Sequence, residues 1–221
     1  MKKYKLTNET IVHFGFTLYR IEALMDFSDV KTGDKGGFVQ SENNLSQLGN
    51  AWVYGNAKVY CNAKVYDNAE VYDNAEVYGD AEVYDNAFVC GYAEVYDNAF
   101  VCGYAKVYGD AEVCGNAGVY GNAFVCDYVK VRGDADVYGK AEVRGDAKVY
   151  KNSDYIVFKN WWSSGRYFTW TRSNKMWKVG CFYGNGEELI KKAYADSEES
   201  GREYERVVKY VESILADELN K

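Results

Sequence analysis

Valine recurs at every sixth residue from Val53 to Val149, 17 positions without a gap. Alanine stands two residues before each of them from Ala51 to Ala147, interrupted only by Val129. The residue after Val is Tyr 11 times, Cys four times (Cys90, Cys102, Cys114, Cys126) and Arg twice (Arg132, Arg144). The next two positions come mostly from Gly, Asn and Asp, as in Asp73-Asn74 and Gly79-Asp80. A fixed short period is the signature of a repeat architecture and takes precedence over any element-by-element reading. In a strand, alternate side chains face opposite ways, so Ala and Val of one hexad share a face and the residues flanking Val share the other. Gly, Asn and Asp tolerate positive φ, so the two positions that follow can turn the chain. A strand and corner this small cannot bury its own apolar face and must stack on copies of itself. Three hexads closing a triangle predict a coil of about 18 residues with Val on the axis, and β-branched Val suits a parallel sheet buried on both sides. Each buried Val contributes about 1.5 kcal/mol or more against the ordering entropy. Five to six coils at about 4.8 Å each give a rod about 25–30 Å long.

The frame Val-x-x-x-Ala-x resembles the hexapeptide repeat of left-handed parallel β-helices. The lead-in GDKGGFVQSENNLSQLGNAWVYGNA (33–57) resembles a narrower group, the YdcK-like β-helix proteins of bacteria and prophages. The likeness covers residues 33–152. It implies a triangular section and a left-handed coil, which the period alone does not fix and which run against the usual right-handed crossover. The expected fold class is mainly β: a left-handed parallel β-helix over 44–152, a strand-rich N-terminal cap over 1–43 and a small α+β domain over 153–221. Absence of Pro suits an uninterrupted ladder. In the tail, YIVF, RYFTWTR and MWKVGCF read as three strands, and EELIKKAYA as a short helix. Tyr204, Val207, Val208, Val211, Ile214 and Leu215 are spaced for an amphipathic helix ending near 219. Trp161, Trp162, Trp170 and Trp177 are expected to form the core of this domain or to seal the last coil.

The start MKKYKLTNETIVHFGF is basic but lacks an apolar h-region, and no run is long enough to span a membrane. The expected setting is the cytoplasm of a bacterial host cell. Cys90, Cys102, Cys114 and Cys126 are 12 apart where stacked neighbours are about 18 apart, so neither disulfides nor a zinc site is expected. Hexapeptide acyltransferases, which the repeat resembles, use a histidine base on the coil, and their carbonic anhydrase relatives hold a metal with three histidines. The one histidine here, His13, lies outside the coil and reads as a strand residue. No enzyme activity, cofactor or metal is expected. Ice binding needs ranks of Thr, and 44–152 contain none.

Charge placement leaves binding. The net charge of −7 resides wholly in 44–152, with 16 acidic against 9 basic residues. Between Lys64 and Lys106 there is no Lys or Arg. An acidic belt of Glu70, Asp73, Glu76, Asp80, Glu82, Asp85, Glu94 and Asp97, continued by Glu112, repels phosphate and disfavours direct nucleic-acid binding. It attracts a basic protein surface. One outer column reads Lys58, Glu76, Glu94, Glu112, Lys130, Lys148, so three like charges stack between lysines. Its neighbour reads Trp52, Glu70, Phe88, Lys106, Phe124, Glu142. The variant hexads AFVCGY and AFVCDY add Tyr92, Tyr104 and Tyr128 at corners. Trp52, Phe88, Tyr92, Tyr104, Phe124 and Tyr128 form a candidate aromatic face for a partner, for self-association or for the C-terminal domain. The expected function is a non-enzymatic protein-binding solenoid. The resemblance to prophage proteins suggests an inhibitor of a host or defence nucleoprotein, such as a CRISPR effector. The alternatives are a self-assembling, virion-associated scaffold, or a small-ligand or nucleotide sponge using the Trp-rich tail.

Overall fold

The computed structural model describes residues 2–162 and 164–219, with side chains through residue 217. The repeat winds as a parallel β-solenoid of about six coils. Each hexad supplies one two-residue rung, such as Glu94–Val95. Each rung pairs in parallel with those 18 residues before and after: Glu94 with Glu76 and Glu112, Val95 with Val77 and Val113. Three faces result. The first carries Trp52–Val53 through Glu142–Val143, the second Lys58–Val59 through Lys148–Val149, and the third Lys64–Val65 through Asp136–Val137. Every repeat Val is essentially inaccessible, as are the Ala residues beside it and Val129. Dispersion and water exclusion along this column, rather than helical or hairpin propensity, hold the rod together.

The corners obey one backbone rule. The first residue after each post-Val position, from Gly55 to Gly145, has φ between +58 and +77°. Gly occupies most of these positions, with Asp at 67, 73, 85, 97 and 127 and Cys at 61. Coils approach closely there. A Cβ on Gly109 would lie 2.8 Å from the Asp127 amide nitrogen, whereas one on Gly139 meets nothing. Alanine at Gly139 should therefore suffer only the left-handed strain of about 1 kcal/mol. Gly109→Ala should cost about 1–3 kcal/mol more through the clash. Thermal unfolding of the two variants checks this, and equal losses would mean that the corners are not closely stacked.

The ladder has a direction that dictates its lids. Each coil's N–H groups donate to the carbonyls of the following coil, as Tyr54 N to Val71 O at 2.7 Å. The first coil is thus left with unpaired carbonyls and the last with unpaired N–H groups, both of which need partners. Donors close the N-terminal end. Lys3 Nζ reaches Ala51 O at 2.8 Å, Tyr4 Oη reaches Leu45 O at 2.7 Å, and Asn44 Nδ2 reaches Cys61 O and Ala63 O at 3.0 and 2.9 Å. Acceptors close the other end. Asn152 Oδ1 takes the Asp136 N–H at 2.7 Å, Thr169 Oγ1 the Glu142 N–H at 2.9 Å, and Ser173 Oγ the Lys148 N–H at 2.7 Å.

The N-terminal lid is an antiparallel hairpin, Tyr4–His13 with Phe16–Ala23, which joins the second face through Lys35–Val39. The parallel ladder thus reaches back into the first 43 residues: Val39 pairs with Val59. The C-terminal unit is a four-stranded antiparallel sheet, Tyr155–Lys159, Tyr167–Thr171, Met176–Val179 and Phe182–Gly184. It packs against α1 (Gly186–Asp196) and α2 (Glu198–Leu219). MWKVGCF is therefore two strands, not one: Gly180 at φ +54° turns the chain between them. Trp170 and Trp177 are buried in the domain core and Trp162 packs against it. Trp161 departs from the expectation, 76% exposed at a loop.

Candidate binding surface

The acidic belt separates into two classes that the hexad position distinguishes. Glu70, Glu76, Glu82, Glu94 and Glu112 precede Val on the faces and are half-buried. Asp73, Asp80, Asp85 and Asp97 lie at corners and are exposed, as is Asp67.

The face glutamates serve the tyrosine ranks. In three cases a Tyr after Val donates its hydroxyl to the Glu 16 residues on, in the next coil: Tyr60 to Glu76 at 3.0 Å, Tyr66 to Glu82 at 2.9 Å, Tyr78 to Glu94 at 2.8 Å, whereas Tyr54 donates to Asp29 at 2.8 Å. Where that position is Phe88, Tyr72 turns back to Glu70 at 2.9 Å and packs on the Phe88 ring at 4.8 Å. The rings themselves stack, Tyr60 on Tyr78 at 5.1 Å and Tyr78 on Tyr96 at 4.9 Å, within 9° of parallel. Burial, then the carboxylates beside them, pushes the phenol pKa values of Tyr60, Tyr66 and Tyr78 far above the usual range.

The Glu76–Glu94–Glu112 column is neutralised at both ends. Glu76 accepts from Lys58 Nζ at 2.9 Å, and His13 Nε2 lies 2.9 Å away. Burial alone would raise the Glu76 pKa, but Lys58, His13 and Tyr60 together leave it below the usual value. Glu112 meets Lys130 at 2.9 Å and Arg132, and these cations likewise outweigh its burial. Glu94 has no cationic partner among the described residues, and Tyr78 holds it. His13 ends the first hairpin strand and pins the hairpin tip to the coil beside the Tyr60 ring.

The corner aspartates carry the exposed charge, and the coil fixes them. Asp73, Asp85 and Asp97 each accept the N–H of the Gly 18 residues on, at 3.1–3.2 Å. Asp80 accepts from Asn62 at 3.0 Å. None of these four, nor Asp67, forms an ion pair among the described residues.

The aromatic candidates do not form one face. Trp52 is removed from it: the lid residues Tyr4 and Phe27 cover the indole, leaving it 1% exposed. Tyr92 and Tyr128 stand out on the corner after the first face, and Tyr104 on the corner before it, each about two-thirds exposed. Phe88 and Phe124 are half-buried and flank Lys106, whose Nζ lies 5.8 and 5.7 Å from their ring centres. The C-terminal sheet stands over the Phe124 end of this column, beside Tyr104, and leaves a cleft there.

All six cysteines are unbonded thiols, and burial pushes those of Cys90, Cys102 and Cys126 above the usual pKa. Among the described residues no group of three or more His, Cys, Asp or Glu is placed to hold a metal ion. No helix there is long and apolar enough to cross a membrane. The sequence did contain the signals that divide the belt: Tyr with Glu at +16 and Asp with Gly at +18. The burial of Trp52 had no local signal. No protein-family model matches the chain, and no curated protein matches it.

Proposed function

We propose that the chain is a non-enzymatic, protein-binding solenoid of the YdcK-like, left-handed hexapeptide type. It takes a partner with a basic surface on the corners of its middle coils. The observation that carries this reading is the ring of Asp67, Asp73, Asp80, Asp85 and Asp97, exposed on all three corners and without ion-paired cations among the described residues. Carboxylates already held by a rigid ladder lose little freedom on binding, and their summed field steers a cationic partner over a long range. Tyr92, Tyr104 and Tyr128 add rings with a polar tip, the composition that suits an interface. The prophage resemblance points to a host or defence nucleoprotein whose cationic groove normally holds nucleic acid, met in the bacterial cytoplasm. A scaffold built by end-to-end stacking is disfavoured, because side chains already close both ends of the ladder.

Asparagine tolerates the left-handed corner and still accepts the glycine N–H, so it removes charge without removing the cap. In affinity capture from bacterial lysate, the wild type should retain proteins with basic surfaces. The Asp67→Asn/Asp73→Asn/Asp85→Asn/Asp97→Asn variant, with an unchanged melting curve, should lose them. Capture of the same proteins by both forms, or of none with a basic surface, would overturn the reading.

A further inference from the structure

We infer a second site on this acidic molecule, sharing only Tyr104 with the proposed partner surface: a cationic, ring-lined cleft between the first face and the C-terminal sheet that binds a nucleoside diphosphate. Lys106 and Lys140 come from the coil and Arg166 from the loop before the Tyr167–Thr171 strand, and all three line one cleft of about 450 Å3. Tyr104, Phe124 and Tyr167 line the same space. Lys140 and Tyr167 are shared with an adjoining cavity of about 450 Å3 along the first strand of that sheet. Small-ligand sites fall in about this size range.

The charges are available. None of the three cations forms an ion pair with an acidic side chain among the described residues, while most other cations of the coil do. Lys106 lies between the Phe88 and Phe124 faces, which hold its stem against the sheet. The one carboxylate in the cleft, Glu142, lies 3.2 Å from Lys178 and 3.7 Å from Arg144 and so does not cancel the cations. Three cations converging on a partly enclosed space select an anion of two or three charges. An Arg adds the planar fork that grips phosphate. The exposed rings of Tyr104 and Tyr167 at the same cleft offer a stacking platform that every base can use, since every base has a π-face. An inorganic anion would use only the charges and a nucleoside only the rings. A nucleotide uses both. Trp170 and Trp177 of the tail are buried and do not line this cleft.

Isothermal titration calorimetry on the full chain tests the proposal, with the four common nucleoside diphosphates, adenosine and pyrophosphate as probes. At least one nucleoside diphosphate should bind, and pyrophosphate and adenosine should each bind about tenfold more weakly or worse. Lys140→Glu/Arg166→Glu places both changes at exposed positions and should keep the melting curve while weakening the nucleotide about 100-fold. Tyr104→Ala should weaken it about tenfold. No heat from any nucleoside diphosphate at millimolar concentration, or equal affinity in the charge-reversed variant, would overturn the site. Pyrophosphate binding as tightly as the nucleotide would overturn the role of the rings. Neither failure would bear on the corner aspartates, which the Lys140→Glu/Arg166→Glu variant leaves intact.

Discussion

Replacing Val95 with aspartate is expected to abolish cooperative folding. Val95 lies in the middle coils of the second face, inaccessible, in register with Val77 above and Val113 below. A carboxylate there has no cation and no spare donor, since the backbone groups around it are already bonded to adjacent coils. An unpaired buried charge costs several kcal/mol, a large part of the total stability of about 5–15 kcal/mol for a domain. A solenoid also has only nearest-neighbour contacts, so a failed rung in the middle leaves two short stacks that cannot support one another. Glu94→Gln, one residue away but facing outward, should change the melting temperature by no more than a few degrees, because it keeps an acceptor for Tyr78. Circular dichroism during thermal unfolding separates the two cases. A Val95→Asp protein that still melts cooperatively near the wild-type temperature would mean that this valine is not on a dry axis.

Raising the pH should unfold the protein steeply above about pH 10. The phenols of Tyr54, Tyr60, Tyr66, Tyr78 and Tyr84 are all pushed far up, the first three and Tyr78 chiefly by burial and Tyr84 first by its contact with Cys102. Burial likewise pushes Tyr72 and Tyr108 up to about 12. An unfolded tyrosine titrates near 10. Above that pH the folded state therefore binds more protons than the unfolded state, and stability falls as pH rises. The contribution is complete below pH 10 and is lost through the folded values, about 12 for Tyr72 and Tyr108. Lys3 acts the other way. Burial beneath the lid pulls its pKa down to about 8 from 10.5, so stability gains between those values. One lysine is outnumbered by the tyrosine ranks, and the net effect is a slight rise followed by collapse. Tyrosinate absorbance and circular dichroism should change together in one transition. Independent titration of the tyrosines near pH 10 with the β signal intact would contradict the hydroxyl–carboxylate ladder.

Much of the coil was legible because the period is a direct statement of geometry. Six residues per rung and three rungs per turn place Glu76, Glu94 and Glu112 in one column, and the registers place them there. The long tail helix was legible for a similar reason, a 3.6-residue spacing from Tyr204 to Leu215, while the Asn185–Glu188 capping box that starts the shorter one went unread. What escaped depends on contacts far apart in the chain. Nothing near Lys3 announces that it closes the carbonyl of Ala51, and nothing near Thr169 announces the Glu142 N–H. Trp52 appeared outward by alternation and became core because Tyr4 and Phe27 fold over it. The acidic belt was counted correctly but weighted evenly. Five of its nine members are face glutamates, four of which hold tyrosines, and the exposed charge belongs to the corners. The cationic cleft could not be read at all, since Arg166 and Lys106 meet only through the docking of the C-terminal sheet.

The most direct measurement is the affinity of the purified wild type and of the fourfold Asp→Asn variant for a captured basic protein, followed from low to high salt. The wild type should bind tightly at low salt and weaken steeply as salt screens the corner carboxylates, with the variant weak and nearly insensitive throughout. Equal affinities and equal salt slopes for the two proteins would contradict binding through the corners of the coil.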